Sequence, residues 1–192
     1  NLRFNKNTAC LFFTQSIVIK SSTFTANIAN SNAKNDALLK SKSKATKFEA
    51  ENLTFLNNDV LKGCIDLTGP ATVTDCNFIN NYMSATSSQR SSGIVVESDS
   101  VLLVQSCKFI NSTDKGSYAA VIYNSGSVVI RDSIFINNAY ENAKGIINGP
   151  TSGLKAITAN NNWWGNSLEN LTKPNLYVTP PSTSLPAGWD PA

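Results

Sequence analysis

Short apolar runs, broken every few residues by Asn, Ser, Gly or Asp, fill most of the chain and recur in a fixed order. One kind opens on a small residue: Ala9-Cys10-Leu11-Phe12-Phe13, Ala37-Leu38-Leu39, Gly63-Cys64-Ile65, Gly93-Ile94-Val95-Val96, Ala120-Val121-Ile122-Tyr123, Gly145-Ile146-Ile147. After a polar turn such as Ser98-Asp99-Ser100 comes a second, β-branched kind: Ile17-Val18-Ile19, Ala71-Thr72-Val73, Leu102-Leu103-Val104, Val128-Val129-Ile130. β-Branched residues in short runs split by turn formers are strand signals. Helical periodicity is weak, and only 34–47 has room for a helical turn or two.

The second run leads each time into nearly the same six residues: CNFINN at 76–81, CKFINS at 107–112, SIFINN at 133–138. The aromatic anchor recurs at Phe4, Phe24, Phe55, Phe78, Phe109, Phe135 and, in altered surroundings, Trp163, at intervals of 20, 31, 23, 31, 26 and 28 residues. A period in the twenties marks a solenoid, because a unit of two or three short strands cannot bury its apolar face alone and must stack on its neighbours. Stacked rungs lie roughly 4.8 Å apart, so six of them make a rod of about 30 Å. The Phe then forms an interior aromatic stack. The Asn residues two and three places later stand at a corner, where Asn tolerates left-handed backbone angles and its amide can bond along the stack.

The expected fold class is all-β, a right-handed parallel β-helix of about six rungs over residues 1–169. Its first rung is truncated, since Asn1-Leu2-Arg3-Phe4-Asn5-Lys6-Asn7 reads as a partial copy. Residues 170–192 read as a Pro-rich capping tail or linker, because Pro174, Pro180, Pro181 and Pro186 cannot donate to a strand ladder. Trp163 is expected in the Phe position, with Trp164 helping to cover the last rung.

Composition narrows the function classes. Charged residues are only 15% of the chain while Asn supplies 25 positions, which suits a β-rich protein meeting solvent with small polar side chains. A net charge of +3 without an Arg-rich strip gives no case for nucleic acid. The chain has no His, the commonest general base and metal ligand, and no cofactor is expected. No apolar run reaches membrane-spanning length, so no direct membrane insertion by this chain is expected. The four cysteines form no CxxC. Cys76 and Cys107 hold the same place in neighbouring rungs, within reach of a disulfide. Four buried, reduced thiols acting as small hydrophobes are favoured, and a Cys76–Cys107 bridge is the alternative.

Three features carry candidate chemistry. Asp66, Glu97 and Asp99, on or just after the first run of successive rungs, form the best acidic patch; catalysis there would need them to converge with a cation or a Lys. Asp75 and Asp132, just before the anchor motif, read as turn formers. Lys40, Lys42 and Lys44 alternate, which puts them on one side of an extended segment. They are the candidate ligand contacts, for an acidic polymer or an anionic cell surface. The alternative is a solvated loop or a strand edge guarded by lysines. Sequons begin at Asn52, Asn111 and Asn170, with Asn111 expected to be buried in the asparagine corner.

The pattern V-x-D-C-x-F-x-N-N, carried best by Val73–Asn81, Val104–Ser112 and Ile130–Asn138 and closed by Asn161-Asn162-Trp163-Trp164-Gly165-Asn166, resembles a known family. It looks like the parallel β-helix repeats of large adhesin-like surface proteins of methanogenic archaea. The Cys-x-Phe-x-Asn-Asn core is also similar to repeats of bacterial polymorphic outer-membrane proteins. The resemblance implies a pectin-lyase-like fold in an extracellular, cell-surface protein, and it maps no catalytic residue onto this chain. The resulting expectation is a non-catalytic, monomeric adhesin module that binds a cell-surface glycan or a protein of another cell. Loops 82–92, 112–117 and 139–144 would carry its specificity. A β-helix polysaccharide lyase or hydrolase and a structural spacer are the alternatives.

Overall fold

The computed structural model describes residues 3–6, 11–28, 37–44, 46–84, 91–114, 121–140, 147–148 and 157–163. These residues form four parallel sheets, and the chain visits the sheets in the same order on every turn. The first face is built from Leu11–Phe13, Leu39–Ser41, Ile65–Leu67, Ile94–Val96, Ile122–Asn124 and Ile147–Asn148. The second contains Ile17–Lys20, Phe48–Glu51, Ala71–Thr74, Val101–Gln105, Ser127–Arg131 and Ile157–Asn160. The third, the aromatic face, contains Arg3–Asn5, Thr23–Thr25, Thr54–Leu56, Asn77–Ile79, Lys108–Ile110 and Ile134–Ile136. The fourth is short: Asp59–Val60, Tyr82–Met83, Thr113–Asp114 and Ala139–Tyr140.

The chain is therefore an all-β parallel solenoid. Three faces are six strands deep, and four turns are complete on all four faces. That is one more face per turn than the repeat suggested. The fourth-face strands are two residues long and have no shared apolar pattern. The room left for a helical turn at 34–47 is instead crossed by the strand Leu39–Ser41. Leu39 points inward there, in register with Leu11 and Ile65.

In-register stacking turns each repeat position into a column. Phe4, Phe24, Phe55, Phe78, Phe109 and Phe135 pair residue for residue, with neighbouring ring centroids 4.7 to 4.9 Å apart and nearly parallel planes. Their spacing is that of the strands, so stacking needs no distortion of the ladder. The inward residues of the first and second faces complete one continuous apolar core. Phe48 belongs to it and stacks on Phe13, 5.1 Å away.

Both corners flanking the aromatic face use left-handed residues with φ between 47° and 56°. Ser21, Asn52, Asp75, Ser106, Asp132 and Asn161 enter the face, and Lys6, Ala26, Asn57, Asn80, Asn111 and Asn137 leave it. Asp75 and Asp132 are thus turn formers, as expected from sequence. Asn161 lies three residues before Trp164, as Asp132 lies three before Phe135, and this corrects the expected closing register. The Trp163 backbone pairs with Ile134, with Trp163 N–H donating to Ser133 O at 2.8 Å and Phe135 N–H donating to Trp163 O at 2.7 Å. Trp163 therefore stands in an outward column, 36% exposed, rather than in the Phe position. Trp164 and the tail 170–192 lie outside the described residues.

The two asparagines of the corner divide the work. The first is left-handed and exposed, and Nδ2 of Asn80 and of Asn111 donates to Oδ1 of the Asn one turn before, at 3.0 and 3.1 Å. Asn111 is thus exposed rather than buried, because the left-handed turn directs its side chain outward. The second is buried. Asn58 Oδ1 accepts from the backbone N–H and from Nδ2 of Asn27, at 3.0 and 2.8 Å, and Asn81 Oδ1 does the same for Asn58. Each buried Nδ2 also donates to a Phe carbonyl of the preceding turn, so these amides are satisfied out of water. The opposite corner repeats the device: Cys76 N–H meets Cys107 Sγ at 3.4 Å, Cys107 N–H meets Ser133 Oγ at 3.1 Å, and Ser133 N–H meets Asn162 Oδ1 at 2.9 Å.

Cys64, Cys76 and Cys107 are buried free thiols, and Cys10 lies outside the described residues. Burial pushes the Cys64 thiol well up. The hydrogen bond to Cys76, together with burial, holds Cys107 up as well. Desolvation favours the neutral form, so Cys64 and Cys107 act as small apolar side chains; Cys64 Sγ donates to Ser92 O, whereas Cys76 and Cys107 Sγ accept from backbone N–H groups.

The columns yield two stability predictions. Phe78→Ala, at the centre of the aromatic stack, costs about 3–5 kcal/mol in urea unfolding, since it opens a cavity between two rings that cannot close up without breaking register; a change below about 1 kcal/mol would show that the ring is not interior. Ser112 interrupts the buried amide column, and its Oγ is buried without a hydrogen-bond partner. Ser112→Asn restores the amide between Asn81 and Asn138 and raises stability by about 1 kcal/mol; a lower urea midpoint would refute that placement.

Candidate functional site

The first face differs from the others in how it is framed. Seven residues lead from the residue opening each inward run of the second face (Ile17, Phe48, Ala71, Leu102, Val128) to the stacked Phe. Four more lead to the fourth face at Ile28, Asp59, Tyr82, Thr113 and Ala139. Both spacings are the same in all five turns. The segment entering the first face then varies, with 12, 7, 13, 10 and 9 residues to its middle position. The segment leaving it varies too, with 5, 8, 5, 7, 5 and 9 residues. Constant spacing marks the arc that packs the core, and length variation is tolerated where segments pass over the outside. Only the first face has such segments on both sides.

Its outward column is chemically mixed: Phe12, Lys40, Asp66, Val95 and Tyr123, paired in register. Outward residues of a free sheet face would be exposed, yet Asp66 is 0% exposed and Val95 and Tyr123 are buried. Two lysines nevertheless reach its carboxylate. Lys40 Nζ lies 2.9 Å and Lys62 Nζ 3.0 Å from its Oδ2, and Lys62 also pairs with Glu97. Burial works against the Lys62 charge, but Asp66 and Glu97 together outweigh it and raise its pKa. Lys62 hydrogen-bonds Glu97, whereas Asp66 Oδ1 is buried without a hydrogen-bond partner.

The three lysines expected to contact a ligand are placed differently from one another. Lys40 is half-buried against Asp66, and Lys42 Nζ stands 4.1 Å above the centre of the Phe12 ring. Lys44 is exposed, 2.8 Å from Asp99. Only Lys40 lies in a strand; the other two follow it around the corner, so they do not form one row. The acidic patch divides likewise: Asp66 and Glu97 meet at Lys62, whereas Asp99 goes with Lys44. Lys62 and Phe12 were not singled out from sequence. Lys62 precedes Asp66 by four residues, a helical pairing distance; here the chain instead turns through Gly63 and brings the two together. Of the loops expected to carry specificity, 85–90, 115–117 and 141–144 lie outside the described residues. Among the described residues, no three or more His, Cys, Asp or Glu stand together as a metal-binding group.

Compared with protein-family models, curated proteins and solved structures, the chain matches none of them. The site is therefore read from its own geometry.

Lys62 gives a pH prediction. Its folded pKa is raised above the ordinary 10.5, so the stability it contributes is fully present below that value and is lost as pH rises through the folded pKa. The stability difference between wild type and Lys62→Met, measured by urea unfolding, holds steady from pH 7 to about 10 and shrinks above it. A difference that is flat to pH 12 would contradict the pairing.

Proposed function

We propose that the chain is a non-catalytic attachment module, a rigid β-solenoid of an adhesin-like cell-surface protein that presents the Phe12 and Lys40 end of its first face to a surface polymer or glycan of another cell. The observation that carries this reading is the framing of the first face. The other three faces follow one fixed spacing, and length varies only at the two edges of the face that bears the mixed aromatic and charged column. A rod that holds such a face rigid loses little entropy on binding, and many copies on one cell would add avidity to weak single contacts. The repeat's resemblance to adhesin-like surface proteins agrees with this role and with an extracellular location.

A second reading, a polysaccharide lyase or hydrolase on the same fold, draws on one observation: Asp66 and Glu97 approach each other through a shared lysine. Two carboxylates with a cation between them are the raw material of acid–base chemistry on a glycosidic bond.

One experiment separates the readings. The protein is run through native gels containing neutral or acidic polysaccharides, and the gels are then stained for polymer. Attachment predicts retarded migration with the polymer intact. Cleared tracks would establish cleavage, and unretarded migration through every gel with intact polymer would leave the polymer-attachment role without support.

A further inference from the structure

Three features besides the Phe stack and the amide ladder could carry chemistry or a contact. The thiols of Cys76 and Cys107 are buried and already serve as acceptors in the corner column. The outward stripe Leu56, Ile79, Ile110 and Ile136 on the aromatic face is half-buried, with nothing to indicate what would cover it. The third feature is the orphaned Asp66 oxygen beside Phe12 and Lys40.

Resting on the attachment reading, we infer that Phe12, Lys40, Lys62, Asp66 and Glu97 form a binding site for a neutral sugar, recognised through its hydroxyl groups, rather than for an acidic polymer. Asp66 Oδ1 is fully buried without a donor, while both neighbouring ammonium groups approach Oδ2. A buried carboxylate oxygen left unpaired is costly, and a site that contains one is built to receive a donor.

The surrounding charges select the kind of donor. A metal ion would meet two ammonium groups, and an acidic sugar would meet two carboxylates. A third ammonium would add a cation to a group whose charges already balance: Lys40 and Lys62 against Asp66 and Glu97. A hydroxyl donates to Asp66 or Glu97 and accepts from Lys40 or Lys62, so vicinal hydroxyls satisfy both signs at once. Lys40, Lys62 and Glu97 keep 21, 14 and 29% of their side-chain surface open while Asp66 keeps none, so a sugar approaches over those three side chains and reaches the buried Oδ1 only as they move aside.

The register supplies the apolar half of the site. Phe12 pairs with Lys40, and Lys40 with Asp66, so an exposed aromatic residue, one face of whose ring Lys42 covers, stands two strands from the orphaned oxygen. That span is about 10 Å, the length of two pyranose rings. Binding sites for neutral ligands combine an apolar platform with a few fixed polar groups in this way.

The lysines that a sequence reading assigns to an acidic polymer are placed consistently with this. Lys40 faces Asp66, Lys42 faces the Phe12 ring, and Lys44 faces Asp99. Recognition by hydroxyls predicts weak salt dependence, whereas attraction of a polyanion would fall steeply with salt.

The test uses galactomannan as the neutral probe and polygalacturonate as the acidic one, in affinity gels at 20 and 200 mM salt. The expected result is retardation by galactomannan, similar at both salt concentrations. Phe12→Ala and Asp66→Asn should each weaken it at least tenfold, while Lys44→Met leaves it unchanged. Asp66 is buried and its variant can lose stability, so a thermal melt accompanies it; Phe12 is exposed, and its variant carries the test alone if Asp66→Asn unfolds. Retardation by polygalacturonate only, lost at 200 mM salt, overturns the inference and leaves the attachment reading standing. The same holds if galactomannan binding is untouched by both variants, which would place the ligand elsewhere and leave Asp66 Oδ1 to a water molecule. Free migration in both gels overturns the inference together with the polymer-attachment role.

Discussion

Everything in this molecule depends on parallel, in-register pairing along one axis. Each strand bonds to the equivalent strand of the turn before and after, so a residue's neighbours are copies of its own position. That rule makes interior composition a matter of what stacks on itself. Aromatic rings do so at the strand spacing. Aliphatic side chains do so with equal ease. Polar groups can enter the interior only if they form ladders, and the buried asparagines show how: each amide accepts from the turn on one side and donates toward the other. A charged residue could not be repeated in a column without like charges meeting every 4.8 Å or so. The charges of this protein accordingly sit outward and are interleaved, as Lys20 with Glu51 and Lys40 with Asp66.

The same rule explains what could be read from the sequence. Phe, the paired asparagines and the left-handed Asp before the motif are legible because their roles demand one residue type and the role recurs every turn. The strand Phe48–Glu51 was hidden, because Phe48 fills the column with a ring where other turns use an aliphatic residue, and Glu49 breaks the β-branched run. The closing Trp was read one residue early because the eye follows the aromatic, whereas the backbone counts from the left-handed Asn161. The candidate site was the least legible part. Its contacts join Lys40 to Asp66 and Lys62 to Glu97, far apart in sequence and tied by variable segments whose length obeys no repeat.

That difference in legibility separates the scaffold from the proposed contact face. A twelve-residue arc of fixed spacing, running from the second face through the aromatic face to the fourth, holds the apolar core and both corner ladders. It leaves little freedom to change, because an inserted residue would turn every following side chain to the wrong side of the sheet. The two edges of the first face lie outside that constraint. A chain under pressure to acquire a contact surface without losing its rod has only these places to lengthen.

The position of Asp66 sharpens the point. Its inward neighbours Ile65 and Leu67 hold the core, so the strand would be as stable with Val or Tyr between them, as the next two turns in fact have. Choosing a carboxylate there requires two lysines and a glutamate to hold it and still leaves one oxygen unmet. Replacing such a cluster by packed apolar residues is commonly neutral or stabilising, so stability alone gives no reason to keep it. The neighbouring turns supply the apolar alternative in the same column of the same protein. On the proposed reading the cluster is kept for what it binds rather than for what it adds to the fold.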